Sequence, residues 1–242
     1  MSLKDRRIVL IGASSGIGLA CARAAREAGA RLVIAGRNTE RLELARRALD
    51  GAVEAFRLDA MESESVAAFF RRVGAHDHLS IFVPTVPNAR VRAQLGLFAD
   101  TPSDAFAAVF ASKFGANLNC LRYGAPHVRG SIVLVTGQAH RKSLPGYAAG
   151  AAANGALEAL VRTLALELAP VRINAVAPGI VETPILRAMP AEMFEAFAAK
   201  TRNQPVARLG AAGEIAGAVL ELMGNGYATG AVLEIDGGYK LA

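Results

Sequence analysis

Apolar residues recur along the chain in two alternating rhythms. Short apolar runs lie in Ile8–Ile11, Arg31–Ala35, Val53–Leu58, Leu79–Val83, Ser131–Val135, Arg172–Val176 and Val232–Ile235. Between them stand longer stretches in which apolar residues return every three or four positions: Leu19–Ala28, Thr39–Leu49, Ser63–Val73, Asp104–Ala125, Gly150–Leu168 and Glu214–Met223. The first rhythm predicts strands buried on both faces, the second helices with a buried side. Strict strand–helix alternation predicts an α/β architecture, a doubly wound parallel sheet of about seven strands with helices on both faces. Gly29 ends the first helix, Asn38 or Thr39 caps the second, and the long fourth helix stops before Pro126. A loop from Pro84 to Pro87 bounds the fourth strand, and Pro190–Lys200 is a short helical insertion after the sixth. No linker, repeat or low-complexity stretch divides the chain, so residues 1–242 read as one domain.

A sheet of this kind binds ligands beyond the carboxyl ends of its strands. The residues there are Gly12–Gly18, Gly36–Asn38, Asp59 and Ala60, Val83 and Pro84, Thr136–Gln138 and Ala177–Thr183. The first group says most. Ile8 to Leu19 reads IVLIGASSGIGL, a strand that breaks into Gly12, Gly16 and Gly18 and re-forms as a helix. Such a turn leaves backbone N–H groups at a helix N-terminus, where they and the helix dipole attract an anion such as a pyrophosphate. The glycines let the backbone approach it.

Composition narrows the field. The 242 residues are 52% hydrophobic with mean hydropathy +0.30, enough for a large core, and no apolar run reaches membrane-spanning length. The opening runs straight into the first strand, which leaves no room for a signal peptide. Cys21 and Cys120 lack metal-ligand spacing, so they read as buried free thiols and no metal site is expected. A cytoplasmic location follows from these features. The net charge of +6 comes from arginines scattered along helices, and Trp is absent. That pattern suits a solvated surface, or an anionic cofactor or substrate, better than nucleic acid.

Five segments taken in order resemble the short-chain dehydrogenase/reductase family over the whole chain: Gly12-Ala-Ser-Ser-Gly-Ile-Gly18, Leu58-Asp59, Leu164–Leu168, Arg172–Gly179 with Thr183, and Gly230–Gly238. The resemblance implies a three-layer Rossmann fold that uses a nicotinamide cofactor. It places Gly12, Ser14, Ser15, Gly16, Ile17 and Gly18 under the pyrophosphate and Asp59, followed by Ala60, at the adenine. Pro178, Gly179, Ile180 and Thr183 would hold the carboxamide. After the second strand stand Gly36, Arg37 and Asn38, with no acidic residue to bind the ribose 2′-hydroxyl. Arginine pairs with phosphate, which favours NADP(H) over NAD(H).

The resemblance fails at the chemistry. The family uses a tyrosine as proton donor, a lysine four residues later, a serine at the substrate carbonyl and an asparagine on the preceding helix. Counting back about seventeen residues from Glu167 puts Gly150 at the tyrosine, Asn154 at the lysine and Gly137 at the serine position. Tyr147 is close by, but taking it as the catalytic tyrosine needs a three-residue shift that leaves Ala151 at the lysine position. The asparagine position falls on Ser112 counted from Gly115, or on Lys113 counted from Pro126. Ile81-Phe-Val-Pro84 also replaces the family's Asn-Asn-Ala-Gly run.

Two functions remain. One is an NADP(H)-dependent oxidoreductase acting on a carbonyl/alcohol pair, with its proton from a relocated group: Lys113, Tyr147, Thr136, or a water on Asn154, with Lys113 and Tyr147 the preferred pair. The other is an inactive NADP(H)-binding homologue with a regulatory or structural role. Residues 181–208 resemble the family's substrate lid. Ile185, Leu186, Met189, Met193, Phe194 and Phe197 there suit a small molecule with an apolar portion, or core packing. The apolar helices Asp104–Ala125 and Gly150–Leu168 suggest a homo-oligomer, a tetramer or dimer.

Overall fold

The computed structural model describes residues 3–51, 53–84 and 96–242. The strands are β1 (Arg7–Ile11), β2 (Arg31–Gly36), β3 (Glu54–Arg57), β4 (His76–Ile81), β5 (Val128–Val135), β6 (Arg172–Pro178), β7 (Val181–Glu182), β8 (Gly210–Ala211) and β9 (Val232–Ile235). Seven of them form one parallel sheet in the order β3-β2-β1-β4-β5-β6-β9, and β7 pairs with β8 beside it. The helices are α1 (Gly16–Glu27), α2 (Thr39–Arg47), α3 (Ser63–Val73), α4 (Ser103–Phe110), α5 (Ala116–Gly124), α6 (Ala148–Glu167), α7 (Pro184–Arg187), α8 (Ala191–Thr201) and α9 (Ala212–Gly224). Beyond Pro84, the expected Pro84–Pro87 loop lies outside the described residues.

The period-two geometry of the strands divides the core into two layers. Ile8, Leu10, Leu32, Ile34 and Val133 face α1 and α9, where they meet Cys21, Ala25, Ile215 and Val219. Val9, Ile11, Val33, Leu79 and Ile132 face the other way, toward Phe70, Cys120, Leu157 and Val161 of α3, α5 and α6. Both cysteines are free and buried, and burial pushes each thiol up to about 12. No helix of the described residues is long and apolar enough to cross a membrane.

Of the boundaries that differ from those read in the sequence, three bear on the site and its setting. β4 starts three residues before Leu79, because polar groups there find partners, although His76 Nε2 is left without one. His78 Nδ1 meets Ser131 Oγ at 2.9 Å, and Asp77 accepts the Arg7 N–H at 2.8 Å. α1 starts at Gly16 rather than Leu19, so the glycine turn runs directly into the helix. The long helix expected over 104–125 is interrupted. Between α4 and α5 the backbone makes one wide π turn, Ala111–Gly115.

Candidate active site

A cleft of about 620 Å³ opens over the carboxyl ends of β1 to β6. Gly12, Ser14, Ser15, Gly16, Ile17 and Gly18 line it. Gly12 has φ +85°, and a Cβ there would stand 2.7 Å from the Phe82 carbonyl oxygen; at Gly18 it would stand 2.4 Å from the oxygen of Gly12. Only glycine allows α1 to begin so close to β1. The first turn of α1 holds no acidic residue and the Ser15 side chain makes no capping bond. The unpaired N–H groups of this helix end are left for a ligand.

Arg37, Asn38 and Arg41 line the cleft beyond β2. Asn38 Oδ1 accepts the Arg41 N–H at 2.8 Å, which settles the cap of α2 on Asn38. Arg41 was not singled out in the sequence, although it stands one helical turn after Arg37. Asp59 and Ala60 follow β3 in the lining, and Asp59 Oδ1 accepts the Met61 N–H at 3.0 Å. Pro178, Gly179 and Thr183 form the opposite wall, with Ile185 and Met189 of the lid, while Ile180 is not among the lining residues. Thr183 Oγ1 also caps α7 by accepting the Leu186 N–H at 3.4 Å. Of the other lid residues, Leu186 is buried in the core and Met193 is exposed.

At the far end the π turn brings both Ser112 and Lys113 to the cleft, so the two counts that separated them meet in one place. Lys113 is 3% exposed. Its ammonium donates to two carbonyls, Val83 O just beyond β4 at 2.8 Å and Val135 O at the end of β5 at 2.7 Å. Burial lowers its pKa from the usual 10.5 to about 8. Thr136 and Gly137 line the cleft beside it.

No hydrogen bond joins Lys113 and Tyr147 among the described residues. Tyr147 is not a lining residue; it opens α6 and packs edge-on against Phe197, ring centroids 6.2 Å apart. Burial raises its hydroxyl pKa, which makes it a weaker acid. Asn154 is also set back from the lining. Its Nδ2 lies 3.1 Å from where a Gly137 Cβ would stand, and its buried Oδ1 has no partner.

One residue of this end escaped the sequence reading. Glu158, one turn after Asn154 on α6, is 2% exposed. It accepts from Thr136 Oγ1 at 3.0 Å, His140 Nε2 at 3.0 Å and Arg141 Nη1 at 2.7 Å, and Arg141 Nη2 also donates to it. Arg141 reaches on to Glu234 at 3.4 Å. A charge at a buried spacing of an alanine-rich helix was the available signal.

These features define a dinucleotide-binding α/β protein, with a glycine-lined anion cradle at one end of its cleft and a buried amine at the other. The family model described as enoyl-(acyl carrier protein) reductase matches residues 12–240. The mouse 3-oxoacyl-[acyl-carrier-protein] reductase is 32% identical over 98% of this chain and 99% of its own. A small-chain dehydrogenase solved with NADPH superposes with TM-score 0.81 at 29% identity, covering 99% of this chain and 100% of that one. An NADPH-bound short-chain oxidoreductase from Pseudomonas aeruginosa PAO1, described as containing an atypical catalytic center, superposes with TM-score 0.83 at 30% identity over 97% of this chain and 98% of its own. The chain belongs to the short-chain dehydrogenase/reductase family of oxidoreductases.

Proposed function

We propose that this protein is an NADP(H)-dependent oxidoreductase that interconverts a carbonyl and an alcohol, with Lys113, relocated from the usual site, as the proton donor. The single observation that carries the reading is the buried Lys113 ammonium on the cleft lining, held by Val83 O and Val135 O. The cradle fits the cofactor. Gly12 and Gly18 have no room for a Cβ, the α1 N-terminus is unpaired, and Arg37 and Arg41 on the lining could pair with a 2′-phosphate. Asp59 and Ala60 suit the adenine end, and Pro178, Gly179 and Thr183 the carboxamide. NADPH supplies the hydride when bound.

Lys113 supplies the rest. An ammonium has three N–H groups, and two are committed to Val83 O and Val135 O, so one remains for a substrate oxygen. As the carbonyl carbon is reduced, that oxygen takes the proton from Nζ. Lowering the amine to about 8 makes this transfer less costly near neutrality. The reductive direction needs the ammonium, so its rate should hold below pH about 8 and fall above it. The oxidative direction needs the neutral amine and should rise through the same pH. Ile185 and Met189 on the lid side suit an apolar portion of the substrate.

The test is a panel of ketones and aldehydes with NADPH. Lys113→Met should lower kcat by about 10²–10⁴-fold and leave NADPH affinity within about threefold. An unchanged kcat removes Lys113 from the reaction. The second reading, an inactive homologue, is favoured by Gly150 and Asn154 at the expected tyrosine and lysine positions; tight NADPH binding with no turnover on any carbonyl would select it. We also propose self-association through α5 and α6, which expose Leu118 and Leu166. Sedimentation showing a monomer at micromolar concentration would refute that.

A further inference from the structure

The reacting end of the cleft offers a ligand two side-chain groups of opposite hydrogen-bonding character. Lys113 can only donate. Thr136 could in principle do either, but its one proton is engaged by the protein. Oγ1 lies 3.0 Å from Glu158 Oε1 and 3.3 Å from Val176 O, and both are acceptors. What Thr136 retains for a ligand is a lone pair.

Glu158 fixes this polarity. A carboxylate accepts only, and this one is anchored by Arg141 and by His140 Nε2, both from the turn that follows Thr136. The hydrogen bond from Thr136 to a charged, buried acceptor is stronger than the one a neutral ligand would offer in exchange. The donor and the acceptor line the same end of the cleft, and the Lys113 ammonium sits 2.7 Å from the carbonyl of Val135, the residue before Thr136. Their natural complement is an acceptor oxygen with a donor one or two bonds away.

We propose that the cleft selects carbonyl compounds with a hydroxyl on the carbon next to the carbonyl, and the vicinal diols they give. The carbonyl oxygen accepts from Lys113 and the neighbouring hydroxyl donates to Thr136 Oγ1, with Glu158 the positioning residue. This rests on the oxidoreductase reading, within which it names the substrate class. A ligand without the donor would leave Thr136 Oγ1 with an unused lone pair in a buried place, a loss a lone apolar contact does not repair.

The experiment compares three matched ketones with the NADPH-loaded full chain: a 1-hydroxy-2-alkanone, its methyl ether and its 1-fluoro analogue. The ether and the fluoride keep the electron withdrawal and remove the donor. The hydroxy ketone should show kcat/KM about tenfold or more above both. Thr136→Val should bring the three within about threefold of one another, whereas Thr136→Ser keeps the preference. In Glu158→Gln the amide oxygen turns to Arg141 and its NH₂ donates to Thr136 Oγ1, so the threonine proton passes to Val176 O and a lone pair open to a ligand is taken up. The preference should then shrink while NADPH affinity holds. Equal kcat/KM for the three ketones in the native chain overturns the inference, and so does a preference that survives Thr136→Val. The native series decides even if a variant fails to fold. If no ketone is reduced, the oxidoreductase reading fails separately. Calorimetry on the NADP⁺-loaded protein still decides this one: a 1,2-diol should bind about tenfold more tightly than its monomethyl ether, and equal affinity overturns it.

Discussion

The two ends of the cleft are built by different means. At the β1–β2 end the cradle is backbone, glycines too close to neighbours for a Cβ and an unpaired helix start, with the side chains of Arg37, Asn38 and Arg41 beyond it. At the β5–α6 end they are buried side chains that hold one another. Lys113 is held by carbonyls, Thr136 by Glu158, and Glu158 by His140 and Arg141. A backbone site is fixed by where glycine is indispensable and tolerates drift around it. A side-chain site can be rewritten residue by residue on an unchanged fold.

Acid should break both ends at once, through the strand that joins them. β4 lies between β1 and β5. Burial pulls its His76 and His78 from 6.5 down to about 4. The unfolded chain takes up these protons first, so the stability present above pH 6.5 is lost as pH falls toward about 4. The loss should be on the order of 3 kcal/mol per histidine, read as a falling urea midpoint between pH about 7 and 4.5. A pH-independent midpoint would show that neither histidine stays neutral in the fold.

A smaller effect separates the ends. Gly18→Ala forces a methyl to within 2.4 Å of the Gly12 carbonyl oxygen. It should weaken NADPH and NADH alike by about a hundredfold or more in fluorescence titration, close to 3 kcal/mol. Retained affinity would mean that α1 can retreat from the turn. The smallest effect is a matter of selection. Arg37→Ala should cost NADPH about tenfold and leave NADH unchanged. An equal loss for both cofactors would place Arg37 off the 2′-phosphate.

The contrast also explains what could be read from the chain. Strand runs such as Leu10 with Ile11 and Ile132–Val135 are apolar because both faces are covered, so the sheet and its helices were legible. The cradle was legible too, since Gly12, Gly16 and Gly18 state a backbone requirement that local sequence alone can carry. β4 began early because His76 and His78 look solvent-seeking until Ser131 and the sheet around them are placed. Glu158 was missed for the same reason: its partners stand about seventeen or more residues away, and nothing beside it in the sequence names them. Tyr147 was read toward the chemistry from its proximity along the chain, and its edge-on packing against Phe197, fifty residues on, was not legible there.

The wide turn at Ala111–Gly115 has a consequence for how this gene can change. Each residue of a regular helix advances the phase by about 100°, and a π turn absorbs one residue beyond the regular count. Removing a single codon within this turn would let α4 and α5 fuse into one regular helix. The turns before and after it would keep their phase, because the residue removed is the one the wide turn sets aside. Ala105 and Val109 would stay in the core, while Ser112 and Lys113 would no longer share the widened turn that brings both to the cleft, and the ammonium would lose its place against Val83 and Val135. Point substitution cannot produce that change. The constraint here falls on chain length as well as on letters, and in a single-residue deletion scan positions 111–115 should keep the fold and lose turnover.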